Sequence, residues 1–154
     1  MASTVANATL NVTITEECLL NGMAQGNTRT NVVSTAINEW HRQIKTTDGT
    51  TQSTLVSFGS QDEAGQYVAA NVKYLRITNL DDSVSVDLSL YNTGGTPDEY
   101  AYIVLHPGHS FMLGSAAASF SAVATATTTL IDITTIAAKA RSGSVDLELV
   151  IALV

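Results

Sequence analysis

The chain is poor in the residues that staple or break a fold. It carries one cysteine, Cys18, in 154 residues. A single thiol cannot close an internal disulfide, so burial has to hold the fold together. A chain of this length buries roughly 70% of its unfolded surface, which is enough. Cys18 itself is expected inside, as a small apolar side chain. Charged residues make up only 14%, against a usual share of about 25%. No apolar run reaches the ~18 residues of a spanning helix. "MASTVANATLNV" has neither the basic start nor the apolar core of a signal peptide. The net charge is −7. That balance repels phosphate backbones and anionic lipid, so neither nucleic acid nor a membrane is expected as partner.

The motifs of several chemistries are missing as well. There is no Walker loop, no dinucleotide fingerprint and no Cys-x-x-Cys pair. There is no Gly-x-Ser-x-Gly elbow, and "GSAAAS" is only a run of small residues. "NTGGTPDEY" is glycine-rich but leads into a strand pattern, where a phosphate cradle needs a helix N-terminus. The acids of "DDS" and "PDEY" read as solvated turns rather than a glycosidase pair.

What the chain has instead is alternation. Leu10, Val12 and Ile14 face one way and Asn11, Thr13 and Thr15 the other. "VKYLRITNLD" sets Leu75 and Ile77 against Tyr74 and Arg76, and "SVSVDLSL" sets Val84, Val86, Leu88 and Leu90 on one face. Val145, Leu147, Leu149 and Ile151 form one face of a last strand. Residues 28–46 fit either a helix face (Val33, Ile37, Trp40, Ile44) or two strands bent near Asn38, and the two strands are preferred. Asp48-Gly49 predicts a hairpin turn into "TQSTLVSFG". Trp40 at an alternating position is expected in the core. Eight to ten short strands without a helix predict an all-β, single-domain antiparallel β-sandwich of the jelly-roll kind. Residues 8–154 form that domain and 1–7 an N-terminal arm.

"YIVLHPGHSFML" raises the question of a metal. Cupin-type jelly rolls bind one with closely spaced histidines, and His41, His106 and His109 are the available set. Ligands on one strand should stand at i and i+2. His106 and His109 instead straddle Pro107-Gly108, which fits the two central positions of a type II turn. The turn is the preferred reading, with no cofactor, and Phe111 and Leu113 re-enter the core after it.

Taken in order, the strand and turn patterns Tyr74–Asp81, Val84–Leu90, Leu105–Phe111, Ile133–Ala140 and Asp146–Ile151 resemble small β-sandwich structural proteins of tailed bacteriophages. The likeness covers the C-terminal half well and the N-terminal half loosely. It implies a non-catalytic virion component made in the host cytoplasm: a decoration, cement or other accessory protein of the head, or, as a second choice, a tail or adaptor piece. It further implies a symmetric homo-oligomer, with a trimer favoured, and the major capsid protein or other virion proteins as partners. Contacts are expected from Met1, Ala2, Ser3, Thr4 and Val5 in the arm, from a loop at Leu20–Asn31, and from Gly114, Ser115 and Ala116 at the start of the stretch Gly114–Thr127. Two rivals stand beside this reading. One is a carbohydrate-binding module on a virion surface, which requires an exposed Trp40. The other is the cupin-like metalloenzyme.

Overall fold

A computed structural model describes residues 6–59, 66–92, 99–114, 119–120 and 131–154. Eight strands build the body: β5 (Glu39–Asp48), β6 (Ser53–Gly59), β8 (Val72–Asn79), β9 (Val86–Asn92), β10 (Glu99–Leu105), β11 (Ser110–Leu113), β14 (Thr135–Ala140) and β15 (Ser144–Leu153). Their pairing is nested. The first strand pairs with the last (β5–β15), the second with the second-last (β6–β14), the third with the third-last (β8–β11), and the middle two with each other (β9–β10). Two sheets result, ordered β11-β8-β15-β5 and β10-β9-β14-β6, with β7 (Gln66–Val68) added in parallel outside β6. Such nesting is a long hairpin wound on itself, the jelly roll.

The core lies between the sheets. Leu75, Ile77, Val145, Leu147, Leu149 and Ile151 come from one sheet, and Leu55, Val86, Leu88, Leu90, Ile136 and Ala138 from the other. The alternation read on β8, β9 and β15 puts these residues inward, as expected. Many of the intervening positions are polar, such as Arg76, Asp87, Ser89, Asp146 and Glu148.

Residues ahead of the body form a separate ribbon. β1 (Ala8–Thr15) pairs with β4 (Thr28–Ile37) antiparallel, and β2 (Leu19–Leu20) with β3 (Met23–Ala24) at its tip. β4 stops at Ile37 and β5 starts at Glu39, so the break falls at Asn38 and residues 28–46 are strand. A second, small cluster seats the base of the ribbon on the outer face of the β11-β8-β15-β5 sheet. It joins Ile37, Leu10, Val12 and Val33 to Tyr74, Val150 and Ala152. A last short pair is β12 (Ser119–Phe120) with β13 (Ile131–Asp132). Among the described residues the strand segments thus outnumber the eight to ten expected; the ribbon and these two-residue pairs account for the excess.

The Asp48-Gly49 turn is not a hairpin. β5 and β6 lie in opposite sheets, β5 beside β15 and β6 beside β14. Residues 49–52 cross the edge of the sandwich instead. Asp48 organises that crossing by accepting bonds from the Thr50 and Thr51 amides, at 2.7 and 2.8 Å, and from the Thr50 hydroxyl at 2.6 Å.

Candidate functional site

The His106–His109 corner is a structural turn. The His109 amide donates to the His106 carbonyl at 3.1 Å, and Gly108 has φ of +70°, the left-handed value that this turn requires of its third residue. Asn79, fully buried, bolts the corner to the end of β8. Its carbonyl accepts from the Gly108 amide, its amide donates to the His109 carbonyl, and its side-chain amide donates to the Val84 and Leu105 carbonyls. Both imidazoles are exposed; His106 Nδ1 meets the Ser85 hydroxyl at 3.2 Å and His109 Nδ1 the Pro107 carbonyl at 2.9 Å. Phe111 and Leu113 turn back onto the core while Ser110 and Met112 stay outside.

His41 lies elsewhere, on β5. It meets Glu39 Oε1 at 2.7 Å and packs edge-on against Tyr67 of β7, 5.4 Å between ring centroids. Among the described residues no group of three or more His, Cys, Asp or Glu is placed to hold a metal ion. His41, His106 and His109 are therefore not brought together.

β5 is inverted relative to the other body strands. Its inward phase is polar: His41, Gln43, Lys45 and Thr47. Its outward phase carries Trp40 and Ile44, at 52% and 63% exposure. Trp40 is therefore a surface residue, contrary to the core position expected of it. It stands opposite Ala152, on the outer face. Two of these polar groups find partners at the open sandwich edge: the Lys45 ammonium donates to the Leu55 carbonyl at 2.7 Å and the Thr47 hydroxyl to the Ala138 carbonyl at 3.0 Å. An inward charge on an edge strand also discourages further strands from adding there.

The outer face of this sheet is mixed in character. Glu148, buried on β15, is gripped by two guanidiniums: Arg42 Nε at 2.6 Å on one oxygen, and Arg76 on the other. Around this triad stand Trp40, Ile44 and Met112. Between the sheet and the ribbon runs a groove of about 420 Å³, walled by Val12, Ile14, Val33, Tyr74 and Met112, with Arg29 at its side. At the ribbon tip Leu19, Leu20 and Met23 are 78%, 62% and 66% exposed. Cys18 is exposed there too, which corrects its expected burial.

The outer face of the opposite sheet is aromatic and polar. Tyr91 and Tyr100 pack edge-to-face at 5.2 Å, and Tyr102 is 70% exposed beside them. A shallow groove of about 470 Å³ joins Tyr102 to Gln52, Ser89, Asp87 and Arg141. Arg141 is spent on Asp87 at 2.8 Å, and Gln52 donates to Ser89 at 2.5 Å.

Of the residues expected to make contacts, Gly114 is exposed at the end of β11. Met1, Ala2, Ser3, Thr4, Val5, Ser115 and Ala116 lie outside the described residues. The segment Leu20–Asn31, expected as a loop, is the distal ribbon. Asn21-Gly22 between apolar neighbours is a strong short hairpin signal, and both residues have positive φ, 51° and 79°. Gly26 has a different reason to be glycine: a Cβ there would lie 1.9 Å from the Glu16 carbonyl oxygen. No family model, curated protein or solved structure matches this chain.

Proposed function

We propose that this protein is a non-catalytic assembly protein, a virion accessory of the decoration or cement kind. In this reading it binds copies of itself, as a trimer or another symmetric ring, and a capsid surface. Jelly rolls serve in capsid shells, in lectins and in cupins alike, so the surface has to choose among those roles. One observation carries the choice. Large apolar side chains left in water are concentrated in two places, the ribbon tip (Leu19, Leu20, Met23) and the outer face of the sheet that carries the ribbon base (Trp40, Ile44, Met112). Clustered exposed apolar surface marks a site of association. The low charge and the short Thr, Ser and Ala side chains favour it further, since they lose little rotamer freedom on contact.

Native mass spectrometry of the full chain tests this reading. A metal-free homo-oligomer that co-sediments with particles is expected. A monomer carrying one transition-metal ion per chain would sink it. A second reading, glycan binding, is favoured by the exposed Tyr102 platform next to Gln52 and Ser89. It predicts protection of Tyr102 from iodination by soluble oligosaccharides. Equal iodination with and without them counts against it.

A further inference from the structure

The ribbon carries two surfaces that complement each other and cannot meet within one chain. The tip combines three exposed apolar side chains, Leu19, Leu20 and Met23, with two exposed carboxylates, Glu16 and Glu17. The groove combines apolar walls (Val12, Ile14, Tyr74, Met112) with the Arg29 guanidinium. Arg29 stands opposite Ile14 on the ribbon ladder, and among the described residues it has no ion-pair partner. Arg42 and Arg76, on the same side of the molecule, are both engaged by Glu148. Of these three arginines, Arg29 is thus the one left for an outside acid.

The tip cannot fill its own groove. Leu19 follows Ile14 by five residues, and strand geometry sets them roughly 17 Å apart. Folding back would break the β1–β4 ladder that runs to Thr15 and Thr28. A two-stranded ribbon is marginal by itself in water, yet this one ends in its most apolar side chains. Among the described residues nothing covers those side chains.

We propose that the groove between the ribbon and the β11-β8-β15-β5 sheet receives the ribbon tip of a second copy of this chain. Leu19, Leu20 and Met23 of one copy lie against Ile14, Tyr74 and Met112 of the next, with Glu16 and Glu17 facing Arg29. The contact joins two different patches, so it propagates from copy to copy and closes into a ring where the rotation allows. This inference rests on the assembly reading and names the surfaces that such assembly uses.

Cys18 makes the contact testable in the full-length protein, because it sits beside the docking residues and is exposed. A partner thiol is introduced as M112C at the exposed Met112, and as Y102C on the opposite sheet as control. After mild oxidation, M112C is expected to yield covalent trimers or longer species on a non-reducing gel. The parent, with one thiol, can yield nothing beyond a dimer. Y102C should match the parent. R29E should abolish the M112C products, and adding E16K and E17K to it should restore them. Unchanged thermal melting of M112C and R29E separates loss of contact from loss of fold. Oligomers by native mass spectrometry without these covalent products would overturn the tip-in-groove contact and leave the assembly reading standing. A monomer at every concentration would overturn both.

Discussion

Leu147, Leu149 and Ile151 on β15 and Leu10, Val12 and Ile14 on β1 follow the same alternation, but with opposite outcomes. The first three are sealed between two sheets. The second three rest on a single sheet face at Leu10 and Val12 and reach open water at Ile14. Both segments are good strands, so local preference does not separate them. The difference is the number of layers that reach them. β15 sits between β5 and β8 with the second sheet across from it. β1 has one partner strand and, beneath its base, one small cluster. Alternation states which side chains share a face, and burial depends on what is brought against that face. A body built like β15 is self-sufficient, whereas a ribbon built like β1 invites a partner.

The strongest test of this contrast is truncation in each region. Leu88→Ala or Ile136→Ala in the body should cost about 2–5 kcal/mol, read as a fall in the urea midpoint. Leu20→Ala at the tip should change stability by under about 0.5 kcal/mol. Similar losses at the two places would erase the distinction.

Next in size is the triad on the shared face. Glu148→Ala leaves two cations without their carboxylate. Removing one partner of a fully buried pair costs about 3–5 kcal/mol. Arg42 is largely solvated here and can turn to water, so ~2 kcal/mol is expected. Arg42→Ala should cost under about 1 kcal/mol by the same reasoning.

Smaller effects are expected at two glycines. Gly108→Ala forces a left-handed residue to carry a Cβ at the corner held by Asn79, for a loss of about 1 kcal/mol. Gly26→Ala meets the Glu16 backbone and should act locally. Hydrogen exchange should quicken along β1 and β4 and stay unchanged along β8 and β15. Exchange that quickened throughout would mean that the ribbon and the body unfold as one unit.

The smallest effect is confined to acid. Asp48 is held at about 2, from an ordinary 3.8, by the Thr50 hydroxyl first and then by the Thr51 and Thr50 amides. Asp81 is lowered in the same direction by the Ser83 and Val84 amides. Both crossings between the sheets thus bind the ionised form. At Asp48 that stabilisation is complete above the unfolded value of 3.8 and is lost as pH falls through about 2. Asp48→Asn should therefore make stability flatter across that window, as followed by the melting temperature against pH. A parent-like acid slope in that variant would show that the crossing at Asp48 contributes nothing.

The parts of the fold legible in advance share a cause. β8, β9 and β15 each have one apolar phase with a sheet to face, so their period of two sufficed. The turn at Pro107-Gly108 needed only the φ values that proline and glycine supply. Trp40 and Cys18 depart from their expected burial because burial is set by position in the assembly of strands. Trp40 lies on an edge strand whose inner phase is polar, and Cys18 at a tip that no second layer reaches among the described residues. Asp48-Gly49 departs from the expected hairpin because a local turn does not tell whether the next strand pairs with the last or crosses to the other sheet.

For the candidate surface the division runs the same way. The apolar residues of the tip and the groove are plain in the chain, but that they stand exposed, and that Arg29 has no acid beside it among the described residues, follows only from where β1, β4 and the outer sheet face meet. The sequence by itself determined an all-β chain, its inward and outward phases on most strands and the residues of its sharpest corner, because those properties arise within a few residues of one another. The tertiary structure alone decided the nested jelly-roll pairing, the inversion of β5 and the uncovered ribbon. Each of these depends on contacts between segments far apart in the chain, which no local pattern encodes.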